Sequence, residues 1–375
     1  MHLNNIYGKD LIDRFDPFDN PTQNREFNSD YRTIVPQISI DGCKIPDFPS
    51  AMEKKRIRHF YNMSGLMIII HTVLSVLLAI ILSTVFELSL YAVDENLYKV
   101  LPFNYDSIAS EYLSSSSVMM GVNLLAYLIS NLFVFFLGCK ICKIPINSMF
   151  QTKDLSKPTM LRYMGLGLFL QMASALIIGL VTTIIEQFGG TASTPDFEFR
   201  GNTKLMVVTI IYTCIVAPIT EELLFRGFLL KNMSRVSQKF GIVITAVMFG
   251  IFHGNIPQAI LAFITGIFLA HITIKHNSVL PAIAVHATVN TFSMINTIGY
   301  EYLSEGLANL IFGGLMVLII FGGLALFIYS IATKKGRIPK TTRAQRKRGA
   351  SLAFSSWVFI IAFSIYTIIT LVSVF

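Results

Sequence analysis

Nine apolar stretches limit the fold of this chain more than any other feature of its sequence. They are separated by polar segments and lie at about residues 65–91, 117–138, 163–185, 205–225, 242–256, 258–274, 279–298, 307–332 and 351–375. Most reach the roughly 20 residues that a helix needs to cross a bilayer. None alternates with a period of two, and in lipid only helices or closed barrels satisfy the backbone hydrogen bonds. The sequence therefore predicts an all-α, multi-pass transmembrane bundle of about eight or nine spans.

The composition agrees with a membrane protein. Of the 375 residues, 53% are hydrophobic and 14% are charged, whereas about 25% are charged in ordinary soluble domains. Four cysteines are too few for a disulfide scaffold in a chain of this length. The net charge of +8 resides largely in short loops between the apolar stretches, where basic residues orient membrane proteins. We therefore predict membrane lipid, and no nucleic acid, among the partners.

The loop charges also predict the orientation in the cell membrane. If the N-terminus is cytoplasmic, the cytoplasmic loops are strongly basic and the outer loops are mostly acidic, as the positive-inside rule requires. The chain then divides into a polar cytoplasmic tail at 1–60, accessory spans at 61–200, a core at 201–300 and C-terminal spans at 301–375, with a basic cytoplasmic loop at 334–348. The short fifth and sixth stretches meet at Asn255 and predict a tight helical hairpin. We assign no catalytic role to the tail or to the last span.

Three charged residues, Glu221, Glu222 and Arg226, lie within the apolar segment CIVAPITEELLFRGFLL at 214–230. A charge near mid-bilayer costs roughly 2.5–3.5 kcal/mol on insertion, so such residues indicate a polar cavity or a function. Glu222 and Arg226 are four residues apart on a helix and can pair, whereas Glu221 points about 100° away around the helix axis. We predict a mainly structural role for the Glu222–Arg226 pair and a functional role for Glu221.

Two later stretches supply residues that can work with Glu221. His253 closes the fifth stretch, and His286 and Asn290 lie one helical turn apart in the seventh. A carboxylate beside a neutral imidazole can deprotonate a water, and an imidazole and a carboxamide can donate hydrogen bonds to an oxyanion. The set suffices for the hydrolysis of an amide. We interpret the isolated His71 as a structural residue.

Three sequence motifs resemble those of a known family. EELLFRG at 221–227, FGIFHGN at 249–255 and HATVN at 286–290 are similar to the motifs EExxxR, FxxxH and HxxxN of the CAAX protease and bacteriocin-processing (CPBP, or Abi) family, which includes type II CAAX prenyl proteases. The resemblance covers about residues 200–298 and implies an intramembrane endopeptidase whose active site opens to the cytosol.

The resemblance also implies a role for each motif residue. Glu221 and His253 would activate the water, and His286 and Asn290 would stabilise the tetrahedral intermediate. Glu222 and Arg226 would complete the first motif. The implied substrate is a prenylated CAAX protein or a bacteriocin or signalling propeptide, so the expected partner is a membrane-associated peptide or lipidated protein.

A metal is the main mechanistic alternative, because the family has been labelled a metalloprotease. The sequence contains no HExxH motif, and three His or Glu ligands would have to come from three helices. Cys139 and Cys142 form a lone CxxC, which is no zinc site without a second pair. We therefore predict glutamate-dependent, metal-free chemistry with no cofactor, with zinc less favoured.

Two other function classes compete with a protease. A non-catalytic immunity or regulatory protein would keep the fold and bind, but the intact motifs disfavour it. A proton-coupled transporter predicts internal repeats, and the sequence shows none. The oligomeric state stays open.

Overall fold

The computed structural model describes residues 51–100, 116–152, 155–192, 199–235, 237–333 and 349–374. Within these ranges the protein is helical and contains no β-strand, which confirms the predicted all-α class. Most of the predicted polar tail, up to residue 50, and the basic loop at 334–348 lie outside the described residues.

The described residues form nine long helices. They are α1 (Ala51–Val100), α2 (Ser116–Cys142), α3 (Lys157–Gln187), α4 (Thr203–Met233), α5 (Gln238–Phe252), α6 (Ile256–His276), α7 (Leu280–Tyr302), α8 (Glu305–Ala332) and α9 (Trp357–Val372). Each predicted apolar stretch overlaps one of them. A short 3-10 helix, Ile146–Met149, lies between α2 and α3.

Two helix boundaries differ from the sequence prediction. Helix α1 begins at Ala51, inside the predicted polar tail, because Ile57 and Phe60 are buried on one side while Lys54 and Lys55 stay exposed on the other. Within the ninth predicted stretch, 351–375, the long helix α9 begins only at Trp357.

Two serine hydroxyls account for the shorter ninth helix. Ser355 and Ser356 each donate to the carbonyl of Leu352, at 3.0 and 2.8 Å. Serine side chains that bond to nearby carbonyls compete with regular helix, and here the chain turns before α9 starts.

Six helices are long and apolar enough to cross a membrane, namely α1, α2, α3, α4, α6 and α8. Helices α5 and α9 are shorter apolar helices. Helix α7 belongs to neither group among the described residues, because it carries a series of polar side chains that includes His286 and Asn290. The protein is therefore a multi-pass membrane protein, while the total of eight or nine spans and the orientation stay predictions.

The predicted hairpin between α5 and α6 is present. Gly254, at φ +70°, lets the chain reverse directly after α5. Asn255 then caps α6, because its Oδ1 accepts a hydrogen bond from the Gln258 backbone N–H, and Pro257 occupies the first turn.

The other helices pack around α4, α5, α6 and α7. Helix α3 packs on α6, α7 and α8, and α2 packs on α1 and α4. Helix α9 packs on α1 and α5. The first and last helices therefore meet beside the α5–α6 hairpin.

A glycine permits the contact between α1 and α9. A Cβ atom at Gly65 would lie 2.5 Å from the Cα of Phe359, closer than two carbons can pack. We expect Gly65→Ala to force the helices apart and to lower the free energy of unfolding by about 1–3 kcal/mol. Thermal unfolding in detergent measures the change.

Gly179 in α3 is the matched control, because a Cβ there meets no atom within 4 Å. Gly179→Ala should leave the melting temperature unchanged or raise it, since alanine favours helix. Equal melting of the two variants would contradict the close contact.

Candidate active site

Helix α4, which carries the charged residues, is not a regular α-helix. Two π-helical segments, Tyr212–Val216 and Leu223–Leu229, flank the short α segment Ala217–Glu222. Their backbone bonds reach one residue further than in an α-helix, as in the bond from the Ala217 N–H to the Tyr212 carbonyl. Such π segments are rare and occur frequently at functional sites.

Pro218 links the first π segment to Asn290. Since Ala217 already bonds to Tyr212, the next carbonyl, that of Thr213, would be paired with residue 218 in the same pattern. Proline has no N–H to give. The Nδ2 atom of Asn290 donates to the Thr213 carbonyl instead, at 2.9 Å. The irregular backbone of α4 therefore fixes the carboxamide of α7.

Glu222 is fully buried and has two cationic or basic neighbours. Its Oε1 lies 3.0 Å from Nη1 of Arg226, so the predicted ion pair is present. The same oxygen lies 2.9 Å from Nδ1 of His286. Sequence reasoning did not find this second contact, which ties α4 to α7.

Phe249 lies between the three motifs. The Arg226 guanidinium carbon is 4.1 Å from the centre of its ring, a cation–π geometry. The ring also meets His253 and His286 edge-on, with centroids 5.1 and 5.8 Å apart. The phenylalanine of the FxxxH motif thus holds the positions of both histidines relative to the buried arginine.

His253 directly follows α5, and its ring is oriented by its own helix. Nδ1 lies 2.8 Å from the carbonyl oxygen of Phe249. A carbonyl can only accept a hydrogen bond, so Nδ1 carries the hydrogen. A neutral His253 therefore presents Nε2 as a hydrogen-bond acceptor, which is the state that a base requires.

One cavity of about 370 Å³ contains the four residues predicted to be catalytic, namely Glu221, His253, His286 and Asn290. Glu221 lines this cavity, whereas Glu222 and Arg226 do not. Within the described part of the chain, Oε2 of Glu221 is buried and has no hydrogen-bond partner. Tyr212 lines the cavity and interacts electrostatically with Glu221.

The cavity also contains polar residues that sequence reasoning missed. Ser293 and Thr297 continue the face of α7 that carries Asn290, and the helical period could have identified them. Gln258 lies in the first turn of α6. His71 does not line this cavity, and its ring packs against those of Tyr127 and Phe252, as expected of a structural residue.

A metal centre would need several donor side chains close together. In the part of the chain that the structure describes, no group of three or more His, Cys, Asp or Glu residues is placed to hold a metal ion.

The comparison with protein families now adds to this geometry. Residues 203–292, from the start of α4 to within α7, match the family described as type II CAAX prenyl endopeptidase Rce1-like. The match confirms the family resemblance that the three motifs indicate. Comparisons with curated proteins and with solved structures found no match. Fold and match together define a multi-pass membrane protein in which residues 203–292 are similar to the type II CAAX prenyl endopeptidase family.

Neighbouring glutamates allow a sharp test of the buried charge cluster. We expect Glu222→Gln to lower the free energy of unfolding by about 3–5 kcal/mol, because it removes the carboxylate that forms an ion pair with the buried Arg226 cation. Glu221→Gln removes a carboxylate whose electrostatic interaction with Arg226 is weaker than that of Glu222, and the variant should unfold closer to the wild-type temperature. Thermal unfolding of both variants in the same detergent measures the difference. Equal melting temperatures would contradict the assignment of Glu222 as the stabilising partner of Arg226.

Proposed function

We propose that the chain is an intramembrane endopeptidase that hydrolyses a peptide bond of a membrane-associated protein or peptide. The observation that carries the proposal is the convergence of Glu221, His253, His286 and Asn290 on one cavity. The family match over 203–292 supports a CAAX-type protease activity in general.

In the proposed reaction, Glu221 is the general base and His253 orients the water. One hydrogen of the water bonds to Nε2 of His253, which the Phe249 carbonyl keeps in its acceptor state. The Glu221 carboxylate takes the other hydrogen as the water oxygen attacks the carbonyl carbon of the substrate. The attack forms one C–O bond and moves the carbonyl π electrons onto oxygen, which produces the tetrahedral oxyanion.

Asn290 and His286 stabilise this oxyanion. The Asn290 amide donates one N–H to the Thr213 carbonyl, and its second N–H is available to the oxyanion. His286 donates Nδ1–H to Glu222, so only its protonated form offers Nε2–H to the oxyanion as well. The Glu222 carboxylate stabilises that imidazolium, which gives the buried acid a function beyond pairing with Arg226.

Collapse of the intermediate completes the cycle. An electron pair of the oxyanion re-forms the C=O bond as the C–N bond breaks and its electron pair goes to nitrogen. Glu221 gives the leaving amine the proton that it took from the water. The products are a carboxyl terminus and an amine. Glu221 is ionised again.

Gln258 supplies a further donor to the substrate. Oδ1 of Asn255 accepts from the Gln258 backbone, so the Nδ2 group of Asn255 faces the side chain of Gln258 and donates to its Oε1 at 2.6 Å. This contact leaves the Nε2 hydrogens of Gln258 for a substrate carbonyl in the cavity.

An isosteric substitution tests that contact. Gln258→Glu keeps the shape and the acceptor for Asn255, removes both donors and replaces the neutral amide with a carboxyl group. We expect kcat/KM to fall about tenfold, the loss of one hydrogen bond, with most of the change in KM. Unchanged KM would show that Gln258 does not contact the substrate.

The proposed substrates share attachment to the membrane. The cavity walls include the apolar side chains of Met120, Leu124, Leu261 and Met294, beside the polar face of α7. The family description favours a prenylated CAAX protein, and a bacteriocin or signalling propeptide is the other substrate class. We propose that the cavity opens to the cytoplasm and that the chemistry needs no metal.

The decisive experiment uses purified protein in liposomes and quenched fluorescent peptides, with and without a farnesylated CAAX cysteine. Glu221→Gln and His253→Ala should each lower kcat by about 10²–10⁴, the usual contribution of general acid–base catalysis. Glu305→Gln and His59→Ala, at exposed positions on α8 and α1, should cleave as the wild type does.

Chelation separates the two mechanisms. Activity that survives a chelator supports the glutamate-dependent reaction, whereas activity that is lost and then restored by zinc contradicts it. If the wild type cleaves no peptide and Glu221→Gln keeps the cellular phenotype, the binding alternative replaces the protease.

A further inference from the structure

Helix α9 lies outside residues 203–292, the segment that matches the family, but it contacts the end of α5. The hydroxyl of Thr370 in α9 lies 3.0 Å from the carbonyl oxygen of Ile251 and 2.9 Å from that of Tyr366 in its own helix, so its one hydrogen is shared between the two acceptors. Ile251 lies two residues before His253, and its carbonyl also accepts the backbone N–H of Gly254, at 3.1 Å. One carbonyl therefore connects α9 with the turn that carries the catalytic imidazole.

A second contact from α9 holds the neighbouring residue. The ring of Tyr366 stacks on Phe252, with centroids 5.2 Å apart and planes 28° apart. Its hydroxyl shares a 2.6 Å hydrogen bond with Thr72 of α1. The other neighbours of Phe252 are His71, at 5.0 Å, and Phe225, at 5.1 Å. Phe252 is thus fixed by side chains from α1, α4 and α9.

Helix α9 can hold this turn because it is itself fixed to α1. The side-chain oxygen of Asn62 accepts the backbone N–H of Val358, at 3.0 Å, in the first turn of α9. Backbone N–H groups in a first turn have no partner within their helix, so this bond anchors one end of α9. The Gly65–Phe359 contact lies next to it.

We infer that α9 positions His253, with Thr370 and Tyr366 as the positioning residues. The direction of His253 Nε2 depends on the hydrogen bond from its ring to the Phe249 carbonyl and on the backbone of the turn at 250–254. Helix α9, which lies outside the family segment, fixes that backbone. The catalytic consequence rests on the proposed function. The structural consequence, a turn that α9 keeps closed, does not.

The test replaces single groups on α9. Thr370→Val keeps the shape and removes the hydroxyl, and Thr370→Ser restores it. Thr367→Val is the matched control, because it makes the same change three residues earlier on the same helix, where the hydroxyl bonds to the Phe363 carbonyl of α9 itself, at 2.8 Å.

The first measurement is amide hydrogen exchange of the full chain in detergent. Thr370→Val should exchange faster across residues 250–255, whereas Thr370→Ser and Thr367→Val should exchange as the wild type does. Wild-type exchange in Thr370→Val overturns the inference, and so does equally fast exchange in Thr370→Ser.

The second measurement is peptide cleavage. Loss of this bond should lower kcat about tenfold, the value of one hydrogen bond, with KM within about twofold of the wild type. Faster exchange with an unchanged kcat would show that α9 stabilises the turn without positioning His253. A wild type without any activity would refute the proposed protease, while the exchange pattern would still decide whether α9 holds the turn.

Discussion

The site depends on the contacts that the buried Glu222 carboxylate makes with Arg226 and His286. Its Oε1 contacts Arg226 on the same helix and His286 on α7. A carboxylate and a guanidinium far from water are tolerated only as partners, so each fixes the other. With Phe249 over Arg226, this cluster sets the distance between α4, α5 and α7 and leaves Glu221 to face the cavity.

The irregular backbone of α4 complements this cluster. A regular helix would have used all of its internal carbonyls, and Asn290 would then have had no partner at Thr213. Pro218 removes one backbone donor and makes that carbonyl available to α7. The Glu222 carboxylate thus holds His286, and the Thr213 carbonyl holds Asn290. The two residues lie one helical turn apart on the same cavity wall.

The sequence predicted what depends on local periodicity. The nine helices, the α5–α6 hairpin, the Glu222–Arg226 pair and the common face of His286 and Asn290 all follow from spacing along one segment. The Glu222–His286 contact could not be predicted, since it joins residues 64 positions apart. The start of α1 was missed because Ile57 and Phe60 are too few to reveal a period among charged neighbours. The π segments have no sequence signal except Pro218.

The bond between Thr370 and Ile251 spans 119 residues. Helices are synthesised and inserted in chain order, and α9 is the last of those described here. Helices α4 to α7 can therefore fold before the turn at His253 receives its outer support. The turn at His253 would therefore reach its final geometry only after α9 has docked on α1.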